Sequence, residues 1–203
     1  MQKQALLASL KKQGFSKRII EAFKKIKREE FIPEEFKKYA YEDMPLSIGY
    51  GQTISQPFTI AFMLNLLELD KLTKNNKIKI LEIGSGSGYV LALINKISKN
   101  SEIYGIERIK EIVEKSQEIL KEHENIKIFN RNGANGLTDR AGFDRILISA
   151  ACPRIPNHLF GQLNNDGVMV ASVRNSVFQF KKQNNSIIAK EFFGFVFVPL
   201  VED

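Results

Sequence analysis

Apolar positions recur at helical spacing in the first part of the chain and give way to strand-like runs in the middle. Residues 4–13 and 16–28 predict two amphipathic helices parted by Gly14, with Ser16 placed as an N-cap. Leu10, Phe15, Ile19, Ile20, Phe23 and Ile26 form their apolar side, interleaved with lysines and arginines. Pro33, Glu34 and Glu35 open a third short helix running to about Tyr41, with proline early and acids in the first turn. Residues 44–57 break the helical pattern with two glycines, bracketing prolines and many small hydrogen-bonding groups, and predict an ordered loop with little regular structure. Residues 58–69 resume as an apolar helix.

Beyond that helix, strands and helices alternate. Ile78, Ile80, Leu81 and Ile83 predict a strand, 89–97 a helix, 103–107 a strand, 109–123 a helix and 126–130 a strand. A strand at 143–149, a short helix at 155–163 and a strand at 168–173, entered through Asp166-Gly167, continue the pattern. The tail is strand-rich, at 177–180, 186–190 and 193–198, with turn residues Gln183, Asn184 and Asn185. This order predicts an α/β fold: a Rossmann-like, doubly wound sheet, mainly parallel, with an antiparallel C-terminal edge and an N-terminal helical extension. With no internal repeat or linker, residues 1–203 read as one domain, 1–43 being the extension and 77–203 the sheet.

Charge modifies this picture in one place. Of the net +7, residues 1–40 supply 11 Lys/Arg against 5 Asp/Glu. A basic region is compatible with nucleic acid, but its interleaving with apolar residues favours a solvated helix surface. There is no run of 18 apolar residues, and the first residues lack the apolar segment of a signal peptide. Cys152 is the single cysteine, which points to a reducing compartment. The expectation is a cytoplasmic, monomeric protein without membrane contact.

The chemistry begins where the first strand of the sheet ends in alternating glycines, Glu82-x-Gly84-x-Gly86-x-Gly88 with Ser85 between. Strand, glycine turn and helix make a site where backbone closely approaches a nucleotide-like ligand. Tyr89 stands where a dinucleotide fingerprint needs its third glycine, and no Gly-Lys-Ser/Thr completes a phosphate loop. The spacing resembles instead the first motif of S-adenosylmethionine-dependent methyltransferases. Glu107, ending the second strand 21 residues after Gly86, is placed to accept from a ribose 2′- and 3′-hydroxyl pair. His123 and His158 lack neighbouring ligand types, so no metal site is expected. Cys152, with no partner histidine, reads as a small filler.

The segment Met44-Pro45-Leu46-Ser47-Ile48-Gly49-Tyr50-Gly51-Gln52-Thr53-Ile54-Ser55-Gln56-Pro57 closely resembles the signature of protein-L-isoaspartate O-methyltransferases. The resemblance runs in order through Arg28–Phe31 and its neighbours Ile32 and Pro33, the glycine turn, Ile106-Glu107-Arg108-Ile109, Gly142-Phe143-Asp144, Ala150-Ala151-Cys152-Pro153 and Phe197-Val198-Pro199-Leu200. It implies methyl transfer from S-adenosylmethionine to the α-carboxylate of L-isoaspartyl residues in damaged proteins or peptides. It implies that Ser55 is the catalytic-site residue, its hydroxyl helping to hold the substrate carboxylate, and that Gly49, Tyr50, Gly51 and Gln52 close on the methionine end of the cofactor. Thr53, Ile54, Ala150, Ala151, Pro153 and Val198 are expected to contact the substrate. A carboxylate with an ordinary pKa of about 4 is ionised at neutral pH, so the reaction needs no general base. Placement of oxygen against methyl remains, worth up to ~7–11 kcal/mol.

Two departures stand out. Where the family usually has Gly-Asp-Gly to accept from the adenine amine, this chain has Arg131-Asn132-Gly133; an Asn carbonyl accepts the same bond without the charge. Where Pro-Val-Gly is common, Ser172-Val173-Arg174 stands, putting the geometry of that strand end in question. A nucleic-acid methyltransferase is the first alternative, but Ser149-Ala150-Ala151-Cys152-Pro153 is not the Asn/Asp-Pro-Pro-aromatic run of base-amine methylation. A non-catalytic peptide-binding relative is the second, supported only by Asn132 and Arg174.

Overall fold

Local sequence signals build the N-terminal extension. In this computed structural model, which describes residues 2–69 and 77–201, α1 (Gln2–Lys12) and α2 (Lys17–Lys25) pack their apolar sides inward. The Ser16 hydroxyl caps α2, accepting from the Ile19 amide at 3.4 Å. Lys11, Lys12, Lys17, Lys24 and Lys25 face solvent, as the interleaved pattern implies. Helix α2 stops three residues before Arg28, and the chain tightens into two 3-10 turns, Arg28–Phe31 and Glu34–Tyr39, the second replacing the expected short helix.

The segment at 44–57 is not an irregular loop. Leu46–Gly49 (β1) and Gln52–Ile54 (β2) form an antiparallel hairpin with Leu46 opposite Ile54 and Ser47 opposite Thr53. Tyr50 and Gly51 both have positive φ, 54° and 70°, the conformation of a two-residue hairpin turn whose twist matches its strands. The features that read as helix breakers therefore make the turn, while Leu46, Ile48 and Ile54 are buried.

Helix α3 (Pro57–Leu66) follows with proline in its first turn. Its C-terminal end is tied to the sheet: Arg145 Nε donates to the Leu67 carbonyl at 2.7 Å, Gln179 Nε2 to that of Leu66, and Lys181 Nζ pairs with Glu68 at 2.6 Å. Donors from another layer thus satisfy carbonyls that a helix end leaves open. Residues 1, 70–76, 202 and 203, which include the ends of the expected extension and sheet regions, lie outside the described residues.

The core unit is β3 (Lys79–Ile83), α4 (Tyr89–Ile97), β4 (Glu102–Glu107), α5 (Lys110–Leu120) and β5 (Ile126–Asn130). Then come β6 (Phe143–Cys152), β7 (Leu163–Val173), β8 (Ser176–Gln183) and β9 (Ser186–Phe193). Among the described residues they form one seven-stranded sheet in the order β5-β4-β3-β6-β7-β8-β9, parallel through β7 and antiparallel at β8 and β9. The chain builds outward from β3 to β5 and returns to place β6 on the other side of β3. That reversal opens a crevice at the carboxyl ends of β3 and β6.

Alternate residues serve opposite faces. Ile80, Ile103, Leu147 and Val170 join the cluster beneath the α-helices, while Leu81, Ile83, Ile106, Ile146 and Ile148 pack with Leu137 and Leu159 on the other side. On that second side the connections are 3-10 turns at Thr138–Arg140 and Asn157–Gln162, not the helix expected at 155–163. Six residues containing Gly161 are too few to make a stable α-helical nucleus.

In the tail, Asn184 and Asn185 form the left-handed turn between β8 and β9, and Gln183 is paired with Ser186 in the ladder. The strand expected at 193–198 does not form. Gly194, at φ 93°, turns the chain, and the amides of Gly194 and Phe195 both donate to the Asn175 carbonyl at 3.1 Å. The segment then crosses to β6, where Ala151 N donates to Val198 O at 2.8 Å and Leu200 N to Ala151 O at 2.9 Å. Pro199 between them has no amide to extend a ladder.

Candidate active site

The glycine turn is hooked over the end of β4: Gly84 N and Ser85 N both donate to Ile106 O, at 2.9 and 3.0 Å. Gly88 immediately precedes α4 at φ 82°, and a Cβ there would lie 2.7 Å from Leu120 Cδ1, so conformation and packing both favour glycine. Buried Glu107 faces this turn. Its Oε2 accepts from Gly86 N at 3.1 Å and its Oε1 from Ile109 N at 3.0 Å. A carboxylate has about four acceptor positions, so capacity remains for a further donor pair.

Glu82 points from β3 into the crevice between β3 and β6. Its Oε1 accepts from the Ser149 hydroxyl at 2.8 Å, while its Oε2, like Ser85 Oγ, is buried without a partner among the described residues. Burial pushes the Glu82 carboxyl up to about 8; the Ser149 hydrogen bond opposes this and the charge of Glu107 adds to it. Two orphaned polar atoms in one crevice are costly unless a polar ligand meets them. Around them is a small cleft, open to solvent, lined by Glu82, Gly84, Ser85, Gly86, Tyr89 and Ser149, by Thr53, Ile54 and Ser55, and by the apolar side chains of Ile60, Met63, Val90 and Leu147. The hairpin roofs it, with Ile48 Cδ1 3.4 Å from where a Gly86 Cβ would stand.

A second groove lies along the C-terminal segment. Pro45, Gln56 and Thr59 line it together with Val196, Phe197, Val198 and Pro199, and Thr53, Ser55 and Ser149 line it as well as the cleft. The two spaces therefore meet at Ser55. Ala150 packs against Gly84, its Cβ 3.3 Å from the position of a Cβ there. Both backbone groups of Ala151 hold the C-terminal segment, making this residue the anchor of the wall that carries Val198. Pro153 accepts from Arg174 Nε at 3.0 Å. Arg174 has φ 52° in the two-residue turn between β7 and β8, a conformation that favours glycine, yet Val173 and Ser176 remain paired. The strand end keeps its geometry, and the arginine ties it to Pro153, just past the end of β6.

Other expected residues stand apart from these spaces. Asn132 and Gly133 follow β5 beside β4; Asn132 Oδ1 accepts from Ala134 N at 2.8 Å, and a Cβ at Gly133 would come within 2.5 Å of Ile83 Cγ2. Gly49, Tyr50, Gly51 and Gln52 form the hairpin tip, where Tyr50 is 56% exposed and Gln52 Nε2 donates to the Tyr50 carbonyl at 3.3 Å. Sequence reasoning assigned no role to Ser149, although a polar residue ending the apolar run Ile146–Ile148 marks it. Tyr89 and Arg28 were noted in the sequence but given no place in the site.

A parallel sheet reversed beside its first strand, a glycine turn hooked on the second, and buried acids at the ends of both define a methyltransferase domain of Rossmann-like fold. Comparison with known proteins narrows this. The family described as protein-L-isoaspartate(D-aspartate) O-methyltransferase (PCMT) matches residues 1–203. Protein-L-isoaspartate O-methyltransferases of Thermosipho melanesiensis and Ignicoccus hospitalis are 39% and 36% identical, over 95% and 99% of this chain and 98% of each of theirs. A Plasmodium falciparum chain assigned to the same enzymes, solved in complex with S-adenosyl-L-homocysteine, superposes with a TM-score of 0.85 at 27% identity over 98% of both chains. The chain belongs to the protein-L-isoaspartate(D-aspartate) O-methyltransferase family.

Proposed function

We infer that this protein methylates the α-carboxylate of L-isoaspartyl residues in damaged proteins, using S-adenosylmethionine, and so initiates their repair. The observation that carries the reading is the meeting, at Ser55, of the cleft that holds Glu82 and Ser85 with an open groove. S-adenosylmethionine, when bound, supplies a methyl group already activated by its sulfonium charge. The chain's own work is binding and alignment. Glu107 takes the ribose hydroxyls with its remaining acceptor capacity; Asn132 and Gly133 flank the adenine; Gly49, Tyr50, Gly51 and Gln52 close the methionine end. Thr53, Ile54, Ala150, Ala151, Pro153 and Val198 are the proposed contacts of the peptide, of which Thr53 and Val198 line the groove, and Ser55 orients the carboxylate as a neutral donor that does not protonate it. The cytoplasm is the proposed setting, given the lone buried Cys152; no helix among the described residues is long and apolar enough to cross a membrane.

The direct test offers the protein an L-isoaspartyl peptide and its L-aspartyl twin with labelled S-adenosylmethionine. The peptides share composition and charge, so discrimination requires a site that fixes backbone and carboxylate together. Transfer to the isoaspartyl peptide alone is expected, with the label released as methanol on raising the pH, the behaviour of a carboxyl ester. Cofactor binding without transfer to the isoaspartyl peptide would refute the reading.

Glu82 gives cofactor binding a pH dependence. With its carboxyl near pH 8 in the free protein, it is mostly protonated at neutrality. A cationic ligand in the cleft favours the ionised form and lowers that pKa, so binding expels a proton. Affinity for S-adenosylmethionine should therefore rise from pH 6 to 8, by up to about tenfold per unit, and level off above. Glu82→Gln should flatten the profile. Calorimetry in buffers of different ionisation enthalpy reads the proton release; a flat wild-type profile would exclude it. The same shift makes the folded chain hold a proton that the unfolded chain releases, so this group's contribution to stability falls as pH rises from the ordinary carboxylate range through about 8.

A further inference from the structure

We propose that Arg28 is a positioning residue for methyl transfer, its buried guanidinium setting the peptide that carries Ser55 and closing the base of the β1–β2 hairpin. This rests on the reading that the Ser55 hydroxyl orients the substrate carboxylate. Arg28 opens the first 3-10 turn after α2 and is 0% exposed. Its Nη1 donates to the Ser55 carbonyl at 2.8 Å and its Nη2 to the Met44 carbonyl at 3.2 Å. One side chain therefore grips the chain two residues before β1 and one residue after β2.

The guanidinium also stacks 5.6 Å from the ring centroid of Tyr89, the first residue of α4 and part of the cofactor cleft. The Arg28 Nε has no hydrogen-bond partner among the described residues, and the Asp43 carboxylate, whose charge favours the cation, accepts from Phe58 N at 2.7 Å. Burial lowers the arginine's pKa to about 10, so it remains a cation at neutral pH.

A buried cation with one unsatisfied donor is a poor device for stability, since an apolar side chain of similar volume fills such a space at less desolvation cost. Its geometry does something an apolar side chain cannot: a planar fork fixes two carbonyls relative to each other. The hairpin needs that help. Its ladder joins only Leu46–Ile54, Ser47–Thr53 and Gly49–Gln52, and isolated two-stranded hairpins of this size are marginal. The direction of the Ser55 hydroxyl follows from the peptide plane on which it is mounted, and Arg28 holds that plane from the side away from solvent.

The experiment compares wild type, Arg28→Met, Arg28→Lys, Ser55→Ala and the double variant Arg28→Met/Ser55→Ala, by kinetics on the isoaspartyl peptide and calorimetric binding of S-adenosylhomocysteine. Arg28→Met should lower kcat about 10- to 100-fold with product affinity held within about threefold. Arg28→Lys, which keeps the charge but reaches one carbonyl, should recover part of that loss. The double variant should fall no more than about threefold below Ser55→Ala, because both changes act through one hydroxyl. Losses that multiply in the double variant, or an unchanged kcat in Arg28→Met, would overturn the proposal. Should Arg28→Met fail to fold, Arg28→Lys decides: a kcat loss of at least about threefold with intact product affinity supports it, and an unchanged kcat refutes it. Active wild type with an indifferent Arg28 overturns this inference alone. Wild type inactive on the isoaspartyl peptide overturns the functional reading and this proposal together.

Discussion

Glu107→Ala is expected to weaken binding of both S-adenosylmethionine and S-adenosylhomocysteine by about 10- to 150-fold, or roughly 1.5–3 kcal/mol. The carboxylate is buried at the end of β4 and already accepts from Gly86 N and Ile109 N. Its removal would strip the glycine turn of a clip and, under the proposed assignment, the ribose of its acceptor. The two effects separate with a 2′-deoxy analogue of the cofactor product. Wild type should discriminate against that analogue, whereas Glu107→Ala should bind it as well as the ribose form. Calorimetry on folded protein measures both. Undiminished affinity in Glu107→Ala would remove the ribose assignment, and equal discrimination in both proteins would reduce Glu107 to a clip on the turn.

Ser55→Ala should lower turnover on the isoaspartyl peptide by about 10- to 100-fold, the cost of one positioning hydrogen bond of roughly 1.4–2.7 kcal/mol. Cofactor affinity should stay within about twofold, because Glu107 and Asn132, the proposed ribose and adenine contacts, line neither of the spaces that meet at Ser55. Ser55 stands at the junction of cleft and groove and is held through its own carbonyl by Arg28. Loss of the hydroxyl therefore leaves the loop anchored, and the measurement isolates the donor. Turnover equal to wild type would show that the carboxylate is oriented by other groups, with the Thr53 hydroxyl next in line. A fall in cofactor affinity of the same size as the fall in turnover would point to a collapsed hairpin.

Neither variant is expected to unfold the chain, since both side chains lie at the site and the two apolar clusters of the sheet form without them. That separation of core from chemistry lets the two predictions be read as binding and positioning effects.

What the sequence alone determined is the part of the molecule whose signals are local. The β3–α4–β4–α5–β5 unit was readable because each element shows its period within about ten residues and the glycines punctuate the first crossover. Helix α4 and strand β5 have the expected bounds, 89–97 and 126–130. Glu107 was readable for the same reason, because a strand end at a fixed distance from the glycine turn is a property of the βαβ unit. The Ser55 signature was readable only as a resemblance.

Tertiary structure decided what depends on partners far along the chain. The 44–57 hairpin was hidden by strands of four and three residues and by a turn that puts Tyr50, not glycine or asparagine, at positive φ. The tail beyond Phe193 looked like a strand by composition, but Asn175 and Ala151 bend it into the groove wall instead. Glu82 meets Ser149 across 67 residues, and its raised pKa follows from burial that no local pattern encodes. Arg28 is the clearest case. In sequence it is one more cation in a basic, amphipathic stretch, chemically the same as its exposed neighbours. Only the packing of the extension against the hairpin and α4 buries it and aims its fork at Met44 and Ser55. Helical and strand periods report which face of an element is apolar; they carry no information about which single polar side chain the assembled layers will enclose.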